Sequence, residues 1–113
     1  MEPITETKNI PGERWQEFCE TFTNGNRGRV VNITIVSEDV GTRLAEGTIF
    51  SAIDYDPVGK GDDILISYGG STPVAYHTVT MPLEIWQAQD ENGKVIALEI
   101  IDAEDRKTII KFE

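Results

Sequence analysis

The chain has 113 residues, with 20 acidic side chains against 10 basic ones, giving a formal net charge of -10 and a sequence pI near 4.4. That length fits one domain, and the charge repels phosphate backbones and anionic headgroups, which disfavours nucleic acid and membrane surfaces as partners. A single cysteine, Cys19, excludes an internal disulfide framework and suits a reducing compartment, and no apolar run approaches the ~20 residues of a membrane span.

Residues 1–9 are polar and carry Pro3, so they are expected to form a flexible lead-in to a single domain over residues 10–113. They show neither a basic region nor an apolar core of a secretory leader, which makes a cytoplasmic location the expectation. Pro11 opens a helix expected to run to about Thr23. Trp15, Phe18, Cys19 and Phe22 recur at i, i+3, i+4 and i+7 and share one face, while Glu13, Glu17 and Glu20 take polar positions. Glu13 favours the positive end of the helix dipole, and Asn24-Gly25 supplies a stop. An acidic polar face argues for a helix packed on the rest of the fold, since helices that lie on membranes are usually basic.

Short strands follow. Over residues 29–37, Val31, Ile33 and Ile35 alternate with polar or outward positions. Residues 38–41 read as a turn. Residues 48–55 place Ile49, Ile53 and Tyr55 on one face, and Phe50 and Ala52 on the other, as in a strand covered on both sides. Breakers at residues 56–61 precede a strand at 63–68, and residues 69–73 end it. Residues 74–81 form the next strand, and Pro82 demands a bend, a bulge or an edge. Residues 83–89 and 95–101 flank Asn92-Gly93, the strongest hairpin signature in the chain, read as a two-residue type I′ turn. A last turn at residues 102–105 leads to a strand at 106–112. The fold expected is mainly β (α+β): an N-terminal amphipathic helix packed on an antiparallel meander or small barrel of about six to seven short strands, closed or half-closed to limit exposed edges.

The run Ile10-Pro11 with Trp15 and Phe18, the strand around Val31-Asn32-Ile33, the stretch His77-Thr78-Val79-Thr80-Met81-Pro82, and the closing Leu98-Glu99-Ile100 with Thr108-Ile109-Ile110-Lys111-Phe112 together resemble a small bacterial domain family, DUF5335. The likeness spans roughly residues 10–112 and rests on the order and spacing of short motifs. It implies a soluble bacterial protein and brings neither an established activity nor catalytic residues. The sequence departs from the family at Asp102-Ala103-Glu104-Asp105-Arg106, where the family tends to place an Asp-Gly type turn. Sm-like and SH3-like barrels offer a looser architectural analogy, and fold does not fix function.

No catalytic constellation stands out. His77 is the sole histidine, so a ligand or polar site would centre on it, with Tyr76, Asp62 and Asp63 as candidate companions and Ser71 near by. The competing expectation is a half-buried strand histidine bonded to its neighbours. The acidic clusters Asp54/Asp56, Asp62/Asp63, Asp90/Glu91 and Asp102/Glu104/Asp105 lack EF-hand spacing, and one Cys with one His makes a still poorer zinc site, so no metal or cofactor is expected. Gly59-Lys60-Gly61 and Gly25-Asn26-Arg27-Gly28 lack the length and context of phosphate loops. If Leu83 and Ile85 face the core, Trp86 points outward and becomes a candidate interface residue, together with Phe50; the alternative packs Trp86 under a loop or against the helix. Two function classes remain open. One is a non-enzymatic module making protein–protein contacts, including a homodimer; the other is a small-molecule-binding barrel or enzyme near His77, its ligand unidentified.

Overall fold

The computed structural model describes residues 6–38, 40–57, 59, 61–70 and 74–113. In chain order these form β1 (Glu6–Asn9), a 3-10 turn (Gly12–Arg14), α1 (Trp15–Asn26), β2 (Val30–Ser37), β3 (Val40–Asp56), β4 (Asp63–Tyr68), β5 (Ala75–Thr80), β6 (Pro82–Gln89), β7 (Val95–Asp102) and β8 (Lys107–Phe112). All pairings are antiparallel, in the order β1-β6-β7-β8-β2-β3-β4-β5.

The architecture follows from β3. Its first part pairs with β2 and its second with β4, so one 17-residue strand serves both halves of the sheet. Three register shifts bend it, one of them at Leu44 between Ala45 and Arg43. Glu46 and Gly47 oppose Asn32 alone, with Gly47 in the left-handed region (φ 62) and its N–H donated to Asn32 Oδ1 at 2.8 Å. A further register shift falls between Phe50 and Ala52. Bulges of this kind bend a strand and raise its twist, and the two halves fold over a shared core. Ile33, Ile85, Leu98, Ile100 and Ile110 come from one half, and Phe50, Ile53, Ile64, Ile66 and Val79 from the other.

Helix α1 covers the side where β2 and the second part of β3 diverge. Trp15, Cys19 and Phe22 are buried and Phe18 partly so, as the spacing requires. Phe22 meets the rings of Phe50 and Phe112 edge-on at 5.7 and 5.6 Å, and Trp15 meets Tyr55 at 5.2 Å. Burying one such aromatic ring contributes about 2–3 kcal/mol. The helix continues through Asn24 and Gly25 to Asn26, past the expected stop, because Asn26 Nδ2 donates back to the Phe22 carbonyl at 2.9 Å. Gly28, at φ 93, then turns the chain into β2.

Four further expectations change. Residues 6–9 are not a flexible lead-in, since β1 pairs with β6 from Glu6↔Gln89 to Asn9↔Trp86; residues 1–5 lie outside the described residues. The bulge after Phe50 breaks the alternation read for residues 48–55, so Phe50 and Ile53 both face the core. The register shift after Pro82 does the same for Leu83, which is 60% exposed while Ile85 is fully buried. The β6–β7 connection is not a two-residue I′ turn: Gly93 N–H donates to the Asp90 carbonyl at 3.0 Å, leaving Glu91 and Asn92 central, with Gly93 at φ 80 after them.

Candidate functional site

The sheet does not close between its end strand β5 and the β7–β8 region, and His77 sits at that seam. On β5 it shares a row with Ile66 of β4 and Ile53 of β3, the core-facing side. Its Nε2 lies 3.4 Å from Oγ1 of the buried Thr108 on β8. A cavity of about 270 Å³ opens here, lined by Ile35, His77, Val79, Asp102, Arg106 and Thr108. Burial first, and the Arg106 guanidinium second, hold the imidazole below its ordinary pKa of 6.5, with Asp102 pulling the other way. His77 is therefore neutral at neutrality.

Asp102 gives this histidine no catalytic partner. Its Oδ1 accepts the backbone N–H groups of Glu104 and Arg106 at 2.9 and 3.0 Å, and its Oδ2 accepts Arg106 Nε at 3.0 Å. The carboxylate thus shapes the β7–β8 turn. The β6–β7 turn repeats the device: Asp90 Oδ1 accepts from Asn92 and Lys94 at 2.9 and 3.0 Å. Where Gly93 takes positive φ in one turn, Asp105 (φ 61) takes it in the other. The departure from an Asp-Gly turn thus leaves the turn geometry intact and places a non-glycine residue in the left-handed region.

The residues expected beside His77 disperse. Tyr76 points to the opposite side of β5, in a row with Ser67 and Ala52, and is 63% exposed. Asp63 lies on that outer side too, between Asp56 and Thr80. Asp62, at φ 51, offers a carboxylate oxygen 3.5 Å from the Tyr55 hydroxyl. Ser71 lies outside the described residues. Among the described residues, no group of three or more His, Cys, Asp or Glu side chains could hold a metal ion.

A larger concavity lies elsewhere. A groove of about 1140 Å³ runs between the polar side of α1 and the outer side of β3–β5. Glu13, Glu17 and Glu20 line one wall and Asp54, Asp56 and Asp63 the other. Cys19 lies at its floor, its thiol pushed up to about 12 by burial and secondarily by the charge of Asp54. Such a thiol is no nucleophile at neutral pH. Both sets of acids are visible in the sequence, but their meeting across this groove is not. The available clue was the i, i+4, i+7 spacing of the three glutamates, which puts them on one stripe of the helix.

The two interface candidates part company. Phe50 is fully buried between the rings of Phe22 and Phe112 and presents nothing to a partner. Trp86 is half-buried on the outer face of the sheet, opposite the core-facing Ile85. Register builds the face around it. One row runs Trp86, Glu99, Ile109, Thr34 across β6, β7, β8 and β2, and the next runs Glu84, Ile101, Lys107, Val36. Trp86 Nε1 donates to Glu84 Oε1 at 3.1 Å.

These features define a helix-covered, half-closed antiparallel β-domain with a polar seam, an acidic groove and a mixed apolar face. The chain belongs to the family of unknown function DUF5335, whose model matches residues 6–113. It is similar to an uncharacterized protein of Aquifex aeolicus (strain VF5), 25% identical over 108 residues that cover 95% of this chain and 92% of that protein. No solved structure matches the chain. Among the described residues, no helix is long and apolar enough to cross a membrane.

Proposed function

We propose that this domain is a non-enzymatic, cytoplasmic module that makes protein–protein contacts through the outer face of β6, β7, β8 and β2. One observation carries the reading: Trp86, Ile101, Ile109 and Val36 alternate with charged side chains on a single register-defined face. An aromatic anchor set among aliphatic neighbours and rimmed by charge is the composition of contact surfaces. The Trp86 N–H is already bonded to Glu84, so covering the ring strands no donor. The dispersal of His77, Tyr76, Asp62 and Asp63 supports a non-enzymatic role, and a lone buried thiol suits a reducing compartment.

The test is a photocrosslinking benzoylphenylalanine placed at Ile109 in living cells. A discrete protein adduct, lost when Trp86→Ser is added, is the expected result; no adduct at Ile109 would end this reading. A second reading has its own support. Six carboxylates along the groove, spread out rather than converging, suit an extended cationic segment better than a metal ion. The same crosslinker at Gln16, which lines the groove, would give an adduct weakened by replacing Glu13, Glu17 and Glu20 with glutamine. Silence at Gln16 rejects it.

A further inference from the structure

The charges on the outer face are not scattered. Around Ile109 the acids lie on β6 and β7, as Glu84 and Glu99, and the lysines on β8, as Lys107 and Lys111; one further acid, Glu113, sits beyond Lys111 at the end of β8, where it accepts from Asn32 Nδ2. In register terms, Glu99 stands beside Ile109, and Lys107 and Lys111 stand two residues to either side of Ile109 on the same face. A chain of net charge -10 repels a second copy of itself over most approaches. Here, at the centre of the patch, Glu84 and Glu99 lie on one side and Lys107 and Lys111 on the other, with Glu113 outside them.

We infer that this face is self-complementary and that its partner is a second copy of this chain. A twofold axis along the strands, between β7 and β8, superposes each β7 on the other copy's β8. Glu99 then lies over Ile109 of the second copy, between that copy's Lys107 and Lys111, and the reciprocal contact forms by symmetry. Trp86 falls over the β2 column of the second copy, at the level of Thr34, beside Val36. An isologous contact needs complementary features on the two sides of its axis, and Glu99 on one side with Lys107 and Lys111 on the other supplies them.

Magnitude sets the class of dimer. Four strands at ~4.8 Å spacing and about five residues at ~3.4 Å rise give a patch roughly 19 Å by 17 Å. That is well under the ~800 Å² per partner of a standard stable interface, so the dimer is reversible and dissociates on dilution.

The inference rests on the reading of this face as a contact surface, and sedimentation equilibrium separates the two. The wild-type mass should climb from one chain towards two as concentration rises into the millimolar range. Glu99→Lys and Lys107→Glu should each weaken association at least tenfold, because each puts like charges opposite one another at both symmetric contacts. An equimolar mixture of the two variants should recover dimer, since the mixed pair restores opposite charges at both contacts. Circular dichroism and melting confirm that each variant is folded; should either fail, Glu84→Lys and Lys111→Glu probe the same face. A wild type that stays monomeric, or a mixture no better than its components, overturns self-association. If the chain stays monomeric while Ile109 still crosslinks to another protein, the contact surface survives with a different occupant. If neither occurs, both ideas fail.

Discussion

Thr23 and Ile53 are joined in both directions: the Thr23 hydroxyl donates to the Ile53 carbonyl at 3.1 Å and accepts the Ile53 N–H at 2.9 Å. A helix side chain thereby does what a neighbouring strand would do for that edge of β3, at the point where β2 has turned away. Backbone groups buried there would otherwise lack partners.

Removing the hydroxyl while keeping the shape exposes that role. Thr23→Val should cost about 2–4 kcal/mol, because it leaves a buried N–H and a buried C=O unpaired, and should lower Tm by roughly 10 °C. Thr23→Ser should recover most of the loss. Equal melting of all three proteins would show that the edge needs no such cap.

The paired turns make a comparative prediction. Gly93→Ala should destabilise by about 1–2 kcal/mol, since φ 80 is a conformation an L side chain adopts only with strain. Asp105→Gly should instead raise stability by about 0.5 kcal/mol, by relieving the same strain at φ 61. Chemical denaturation of both variants reads the two signs, and a loss on Asp105→Gly would contradict the equivalence of the turns.

His77 and stability are linked through pH. Its folded-state pKa is depressed by burial and Arg106, so below the ordinary value of 6.5 the unfolded chain takes up the proton first. The stabilisation tied to the neutral imidazole is present above pH 6.5 and drains away as pH falls through the folded-state value. The groups around the ring are Thr108, Arg106 and Asp102. Urea midpoints from pH 7.5 to 5 should fall less steeply in His77→Gln than in wild type, and an NMR titration of the ring should give a midpoint below 6.5. A midpoint above 6.5 would reverse the sign and reject the account.

Cys19 should resist alkylating and disulfide-exchange reagents in the native protein at pH 8, and react once the chain is unfolded. The native rate then reports how often α1 lifts away. With the thiol at about 12 against an ordinary 9.0, its contribution to stability is complete below pH 9 and lost between about 9 and 12. Immediate labelling of folded protein would show the helix to be loosely held.

The helix stripe, and the strands at residues 63–68 and 95–101, were legible because period and turn residues agreed there. What escaped was set by bulges. The shift after Phe50 put a residue read on the opposite face from Ile53 into the core beside it, and the shift after Pro82 sent Leu83 to solvent. A bulge adds one residue without changing composition, so alternation alone does not register it. Proximity in the site failed for a related reason. Tyr76 and His77 are adjacent in sequence and therefore face opposite sides of the sheet, whereas Thr108, 31 residues away, reaches the imidazole.

The strand order also carries an instruction about synthesis. β2 emerges early yet takes Phe112 as the partner of Val31, and β1 waits for β6. Vectorial translation therefore leaves β1 with an unmatched edge until β6 is made and β2 until β8 is made, and loop closure over such separations is slow. Loss of the final strand would uncover β2 and β7 together. A chain lacking β8 would have two open edges, and such a product belongs to chaperones and proteases.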